Sequence, residues 1–411
     1  MKIFLGLVIL APFLILPAFG EPSVKDDGLV VQKYVTDICC SPTTMAFEGN
    51  DIFVLEKTSG QVHLIKDGVF QGTPVLQENV DPVQEQGMLG IDVVGKKIFL
   101  YFTAASYNGG PAIGKVVYSY DWNGANLVNK TLVKDLNQTQ NYHNGGVFTT
   151  DLNGTVYLVV GDAGRYGKLE NHPTGEPDDT GVILQLVPPG PYYAMGIRNS
   201  FGLTVDPATG KLWDTENGPW YGDEINIVPP KFNSGWDAIM GPANKTQLAN
   251  LPKYKDYVYH DPQFTWEKTV APTAISFVNS DKFEKYKNSV FVGDCNNGNL
   301  YKFELNQNRD GFVFQSPQLQ DNVANIGDSQ DEIIFGSGFG CITDIKIGPD
   351  GLMYIVSLPF GTIYRIVPKE MITEGEPLGI EQQYIIISAL TIGALSTAVY
   401  FKKFRKKTIQ V

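Results

Sequence analysis

The residues of this chain best placed to do chemistry flank one short apolar run. His143, one of four histidines, lies in the turn HNGG, and Asp162 lies in the turn GDAG. Between them Thr155 to Val160 reads TVYLVV, apolar on both faces, as a strand buried between neighbouring sheets must be. The glycines beside each polar residue allow a sharp turn that leaves the side chain in the open. An imidazole that takes a proton at neutral pH, with a carboxylate to orient its partner, makes an acid–base pair. Two ordinary hairpin turns would use the same residue types.

Four further turns carry polar groups of defined chemistry. Glu85 and Gln86 precede Gly87 and an apolar run. Arg198 and Asn199 stand together in YAMGIRNSFG, and a guanidinium fork suits a carboxylate or quinone oxygen. Thr215-Glu216-Asn217-Gly218-Pro219 is followed by Asp223 and Glu224. The carbonyls of Gly218 and Pro219 are hard oxygen donors of the kind that bind Ca²⁺. The run from Trp266 to Thr273 sets an aromatic plate beside the hydroxyl of Thr269.

To converge, these turns must sit at the ends of repeated elements, and the chain shows such a repeat. A turn, a β-rich run, a second turn and a second β-rich run recur six times, starting near residues 50, 95, 153, 210, 288 and 350. Most copies follow a further apolar run, such as Thr44 to Phe47 or Thr343 to Ile347. Strand repeats longer than forty residues with no helical period predict an all-β, six-bladed β-propeller over residues 28–368, in which each blade needs its neighbours to cover its faces. Two packed sandwiches are the alternative. Leu29 to Val35 is expected to complete the last blade and close the ring. Gly167 to Asp179 and Gly241 to Pro262 read as loops on one face. With 43 glycines and 25 prolines, the composition favours short strands and turns. The net charge of −12 excludes a nucleic-acid surface.

The two ends read differently from the ring. Residues 1–20 carry a lysine, an apolar run and Ala18-Phe19-Gly20, the pattern of a signal peptide cleaved after Gly20. Residues 369–383 read as a stalk. Tyr384 to Phe401 is an uncharged run of 18 residues, long enough for a transmembrane helix, followed by Lys402, Lys403, Arg405, Lys406 and Lys407 in a basic cytoplasmic tail, 402–411. The expected location is therefore the cell membrane, single-pass, with the propeller on the extracytoplasmic side. Sequons at Asn129, Asn137, Asn153 and Asn244 suit an outer surface. In that compartment Cys39, Cys40, Cys295 and Cys341 read first as disulfides, with adjacent Cys39 and Cys40 not expected to bond to each other.

From Pro42 to Ile366 the motifs HNGG, GDAG, YAMGIRNSFGL, TENGP with DEIN, WxxTxAP and ITDIKIGPDG, in this order, resemble the glucose/sorbosone dehydrogenases, the soluble PQQ-dependent aldose sugar dehydrogenases. That resemblance implies a six-bladed propeller whose bound PQQ accepts hydride as a base takes the proton of a sugar's anomeric hydroxyl. It implies His143 as the base, Asp162 as the residue that orients substrate, and Arg198 and Asn199 beside the quinone. Gly218 and Pro219 would hold Ca²⁺, Thr269 would touch PQQ, and Glu85 or Gln86 would take the place of the family's glutamine, with Glu85 favoured by its spacing to Gly87. The implied partners are a small-molecule sugar or glycan and an external electron acceptor.

The chain departs from the family at three positions. The lysine and two arginines that face the carboxylates of PQQ fall at about Asn296, Cys341 and Thr343. A second reading follows, a propeller that binds a glycan or protein in the same cleft without PQQ. The four cysteines suggest one or two disulfides between the last and first blades or, with His143, a soft-metal site.

Overall fold

The computed structural model describes residues 21–164, 168–172 and 177–372. The expected signal peptide, the transmembrane run, the basic tail and nearly all of the stalk lie outside these residues. Among the described residues no helix is long and apolar enough to cross a membrane.

Short alternating strands and glycine turns produce an all-β, propeller-like arrangement of six sheets among the described residues. The first sheet is built on Pro42–Glu48, Asp51–Glu56 and Gln61–Lys66. The second comprises Met88–Val94, Lys97–Ala105, Ala112–Trp122 and Leu127–Asp135. Phe148–Thr150, Val156–Val160, Val182–Val187 and Tyr192–Met195 start the third, and Gly202–Val205, Leu212–Glu216, Tyr221–Val228 and Phe264–Lys268 the fourth. The fifth contains Pro272–Phe277, Ser289–Asp294, Leu300–Glu304 and Ile334–Ser337. Ile342–Ile347, Met353–Ser357 and Thr362–Pro368 form the sixth, with Leu29–Val35 at its edge. Each copy of the sequence repeat falls in a different sheet.

The first strand of each sheet touches that of the next in cyclic order, and Ile342–Ile347 of the sixth returns to Pro42–Glu48 of the first. Because these inner strands belong to different sheets, side chains rather than backbone ladders join them. Thr43 Oγ1 and Thr44 Oγ1 donate to the carbonyls of Met88 and Leu89 at 3.0 and 2.9 Å. Thr150 Oγ1 donates to Asp92 Oδ2 at 2.6 Å, Thr215 Oγ1 to Pro272 O at 3.4 Å, and Thr343 Oγ1 to Pro42 O at 3.2 Å. The last joint is reinforced by the Met45 N–H, which donates to the buried Asp344 carboxylate. Apolar side chains fill the space between successive sheets, as the packing of Val156, Leu158 and Val160 against Tyr101 and Val117 shows.

Leu29–Val35 pairs antiparallel with Thr362–Pro368, Leu29 opposite Pro368, so the first long strand and the last strand of the described residues share one sheet. The loop from Gly241 to Pro262 is more ordered than a plain insertion. It holds a helix, Lys245–Asn250, capped by Asn244, and Val258–Tyr259 extends the third sheet. All four sequon asparagines are exposed.

The cysteines depart from expectation. Cys39 and Cys40 are bonded to each other, and Cys295 to Cys341. Positive φ values at Cys40 and Ser41, 65° and 64°, coil the chain between Leu29–Val35 and Pro42–Glu48 so that neighbouring thiols face one another. The Cys295–Cys341 bridge joins the fifth sheet to the sixth rather than the last to the first. With all four sulfurs oxidised, no thiolate is left for a soft-metal site.

Candidate active site

The sequence-predicted turns meet through a continuous chain of hydrogen bonds. His143 Nδ1 lies 2.6 Å from Asp162 Oδ1. Asp162 is 2 % exposed, and its other contacts are donors: Gly164 N to Oδ1 at 2.7 Å and Trp236 Nε1 to Oδ2 at 2.8 Å. An ionised carboxylate only accepts, so Nδ1 of His143 carries the proton and Nε2 keeps a free lone pair. The turns approach closely here because Gly161 lacks a side chain: a Cβ at that position would stand 2.4 Å from the His143 carbonyl oxygen.

Glu85 ties this pair to the next turn. Its Oε2 accepts from His143 N at 2.7 Å and from Asn199 Nδ2 at 3.3 Å. Gln86 points the other way. It is fully buried, and its Nε2 donates to the carbonyls of Thr139 and Gln140. Of the two sequence candidates, the structure brings Glu85 to His143 and keeps Gln86 beneath the turn.

Arg198 lies between Asp162 and the Gly-Pro turn. Its carbonyl accepts from Asp162 N, and its N–H donates to Glu216 Oε1. Its Nη1 donates to the carbonyls of Asn217 at 2.7 Å and Gly218 at 3.1 Å, with the guanidinium 5.2 Å from the Trp236 ring centroid. Gly218 N in turn donates to Asp223 Oδ1, while Asp223 Oδ2 accepts from the backbone of Val270 and Ala271. That carboxylate fixes the Thr269 turn beside Gly218. Burial pushes Asp223 up to about 6 and Glu216 up to about 7.

A cavity of about 210 Å³ opens beside Glu85 and runs into the centre of the ring. Thr44, Leu89, Val147, Phe201, Thr273 and Thr343 line it, one from or next to each inner strand, and the Cys295–Cys341 bridge forms part of its wall. The positions where the family's cations fall are accounted for. Thr343 and Cys341 are in the wall, and Asn296 donates to the Thr269 carbonyl at 3.3 Å. A cation is present elsewhere in the lining: Lys57, whose Nζ donates to the carbonyls of Pro82 and Gln84 at 3.0 and 2.7 Å.

Sequence reasoning missed Trp236, Lys57 and Glu216. The signal for Lys57 was a single cation at the end of the apolar run DIFVLE. Trp236 had none, since it lies 74 residues from the carboxylate it bonds.

Three buried polar atoms at this site, Arg198 Nε, Asn199 Oδ1 and Asn217 Oδ1, have no partner among the described residues. Arg198 Nε is a donor that fits a quinone or carboxylate oxygen, whereas the two amide oxygens are acceptors that fit a hydroxyl, a ring N–H or a cation.

The ring of sheets thus carries a histidine–aspartate pair and an arginine in linked turns, with Glu85 joining them to a largely apolar central cavity. Residues 40–365 match the Glucose / Sorbosone dehydrogenase family model, and the chain belongs to that family. It is 27% identical over 243 residues to the aldose sugar dehydrogenase YliI of Escherichia coli (strain K12), which covers 55% of this chain and 60% of that relative, under two thirds of its length. Among solved structures it is similar to the apo-form soluble aldose sugar dehydrogenase of Escherichia coli (TM-score 0.64, 19% identity, 83% of this chain and 100% of that one). It is also similar to the PQQ-bound aldose sugar dehydrogenase of Streptomyces coelicolor (TM-score 0.61, 19% identity, 84% and 99%). At these identities the structural likeness bears on the fold alone.

Proposed function

We propose that this protein is a six-bladed propeller that oxidises the anomeric hydroxyl of an aldose or related sugar, using PQQ, on the outer side of a membrane to which its C-terminal segment tethers it. The observation that carries the chemistry is the free Nε2 of His143, left open because Nδ1 is engaged by Asp162. His143 Nε2 takes the hydroxyl proton, and Asp162 and Glu85 hold the imidazole and its backbone in place. Arg198, through its free Nε, would stabilise the developing oxyanion, and Asn199 would help hold Glu85 through its Nδ2. When bound, PQQ supplies the hydride acceptor, and an external acceptor then removes the electrons. Thr269 and Lys57 are the groups that would reach the rest of the cofactor, with Lys57 in place of the family's cations. The carbonyls of Gly218 and Pro219 would hold Ca²⁺, in competition with Arg198 for Gly218.

Replacing His143 with alanine should abolish PQQ-supplemented, dye-linked aldose oxidation while the melting curve stays cooperative. Unchanged turnover would remove the assignment. Membrane fractionation of the full chain, with protease added outside, tests the tether: a protected propeller would contradict it.

A second reading is favoured by the cavity wall, where a disulfide and Thr343 occupy two of the family's cation positions. It makes the cleft a glycan-binding module without PQQ. Calorimetry separates the two. PQQ that fails to bind, together with glycan binding that survives His143→Ala, would establish the second.

A further inference from the structure

One charged side chain near the site has no role in the chemistry above. Lys115 lies mid-strand in Ala112–Trp122, fully buried, and its Nζ has no hydrogen-bond partner among the described residues. A bare ammonium in a protein interior is costly unless something answers its three N–H groups. Three buried acceptors on segments linked to this strand by hydrogen bonds also lack partners among the described residues: Gln86 Oε1, Thr103 Oγ1 and Asn144 Oδ1. Thr103 faces Lys115 across the ladder, and its N–H bonds to Gly87, next to Gln86.

The segment that leads to His143 is pinned over this spot. Leu136 N donates to the Lys115 carbonyl, Gln86 Nε2 binds the carbonyls of Thr139 and Gln140, and Asn144 Nδ2 binds that of Asn141. The ammonium is within electrostatic reach of Glu85 and Asp162. Those carboxylates hold His143 by its backbone and its ring.

We propose that Lys115 is a positioning residue for His143. Its ammonium and the acceptors of Gln86, Thr103 and Asn144 enclose a buried site for ordered water, and its charge balances Glu85 and Asp162 beneath the catalytic turn. The charged groups around the His143 ring are then Glu85, Asp162, Arg198 and Glu216 at the cleft, Lys57 beside Glu85, and Lys115 below. Without Lys115 the balance shifts by one charge toward negative, and the imidazole keeps its proton to higher pH.

The test is an NMR titration of the histidine rings in the whole protein, with the His143 signal identified by its loss in His143→Asn. In Lys115→Met the His143 midpoint should move up by about half to one pH unit, while Lys115→Arg keeps the wild-type midpoint. Equal midpoints in wild type and Lys115→Met would overturn the proposal. The wild-type protein gives an independent readout should the variant fail to fold. Burial brings Lys115 down to about 8, so the His143 signal should show a second inflection near that pH. A single inflection would also count against the proposal. The proposal rests on His143 as the base only for its effect on turnover. If sugars are oxidised, Lys115→Met should shift the acid limb of kcat upward and leave KM in place. A titration shift without any sugar oxidation would leave the positioning role standing and remove the dehydrogenase reading.

Discussion

Arg198 Nη1 lies 3.1 Å from the carbonyl oxygen of Gly218, the oxygen that the sequence offers to a hard cation. The guanidinium thus occupies part of the seat that Ca²⁺ would take. Arg198→Met frees the carbonyls of Asn217 and Gly218 and removes the cation over Trp236. Loss of these charge-assisted bonds should cost about 1.5–3 kcal/mol. Added Ca²⁺ should recover part of the loss in the variant and raise the wild-type melting temperature less. Equal calcium responses in the two proteins would show that Arg198 and the ion do not compete.

Lys115 should be a burden on stability. Its side chain is charged up to about pH 8 in the folded chain and to 10.5 in the unfolded one, and burial is the cause. Between those values the unfolded state binds more protons, so stability rises with pH through this window, and below pH 8 the full cost is present. Lys115→Met should therefore be more stable than wild type at pH 7, by about 1–3 kcal/mol in urea titrations, and the difference should shrink as pH rises from 8 to 10.5.

The Glu216 side chain sets an opposite slope. Burial, offset in part by the bonds from Arg198 N and Ser234 Oγ, raises it from 4.5 to about 7. The folded state then holds the proton over a range where the unfolded state has lost it. This contribution is fully present below pH 4.5 and disappears as pH rises to 7. Glu216→Gln keeps a bond to Arg198 N and should flatten the fall in melting temperature between pH 5 and 7. An unchanged slope would place the titration elsewhere.

Removing the Cys295–Cys341 bridge, which closes a separation of 46 residues, should cost roughly 2–4 kcal/mol in a double serine variant. Because the bridge also lines the central cavity, the variant should change ligand affinity as well as melting temperature.

Much of this architecture was readable from the chain. The strand between HNGG and GDAG, the closing strand Leu29–Val35 and the meeting of His143 with Asp162 follow from local patterning, because glycine turns and apolar runs carry their meaning in a few neighbouring residues. Side-chain direction was less legible. Glu85 and Gln86 are adjacent and chemically alike, but they face opposite ways, and the deciding contacts lie beyond residue 138. Arg198, read as a group beside a quinone, also donates to backbone carbonyls of the next turn, contacts that its spacing did not announce. The Cys39–Cys40 bond depends on left-handed backbone at Cys40, which no spacing rule announces. Trp236 and the buried end of Lys115 are set by packing across sheets, where sequence distance conveys nothing.

The edge position of Leu29–Val35 has a consequence for how the protein is made. Its pairing partner, Thr362–Pro368, is nearly the last described part of the chain to be synthesised. An emerging chain must carry its first long strand unpaired, a bare edge open to the wrong neighbour, until almost everything else exists. Assembly of the sixth sheet is then the step that commits the molecule, and a chain shortened before residue 362 would keep five sheets in sequence and leave its beginning to the short pairing of Ser23 and Val24 with Ser337 and Gly336.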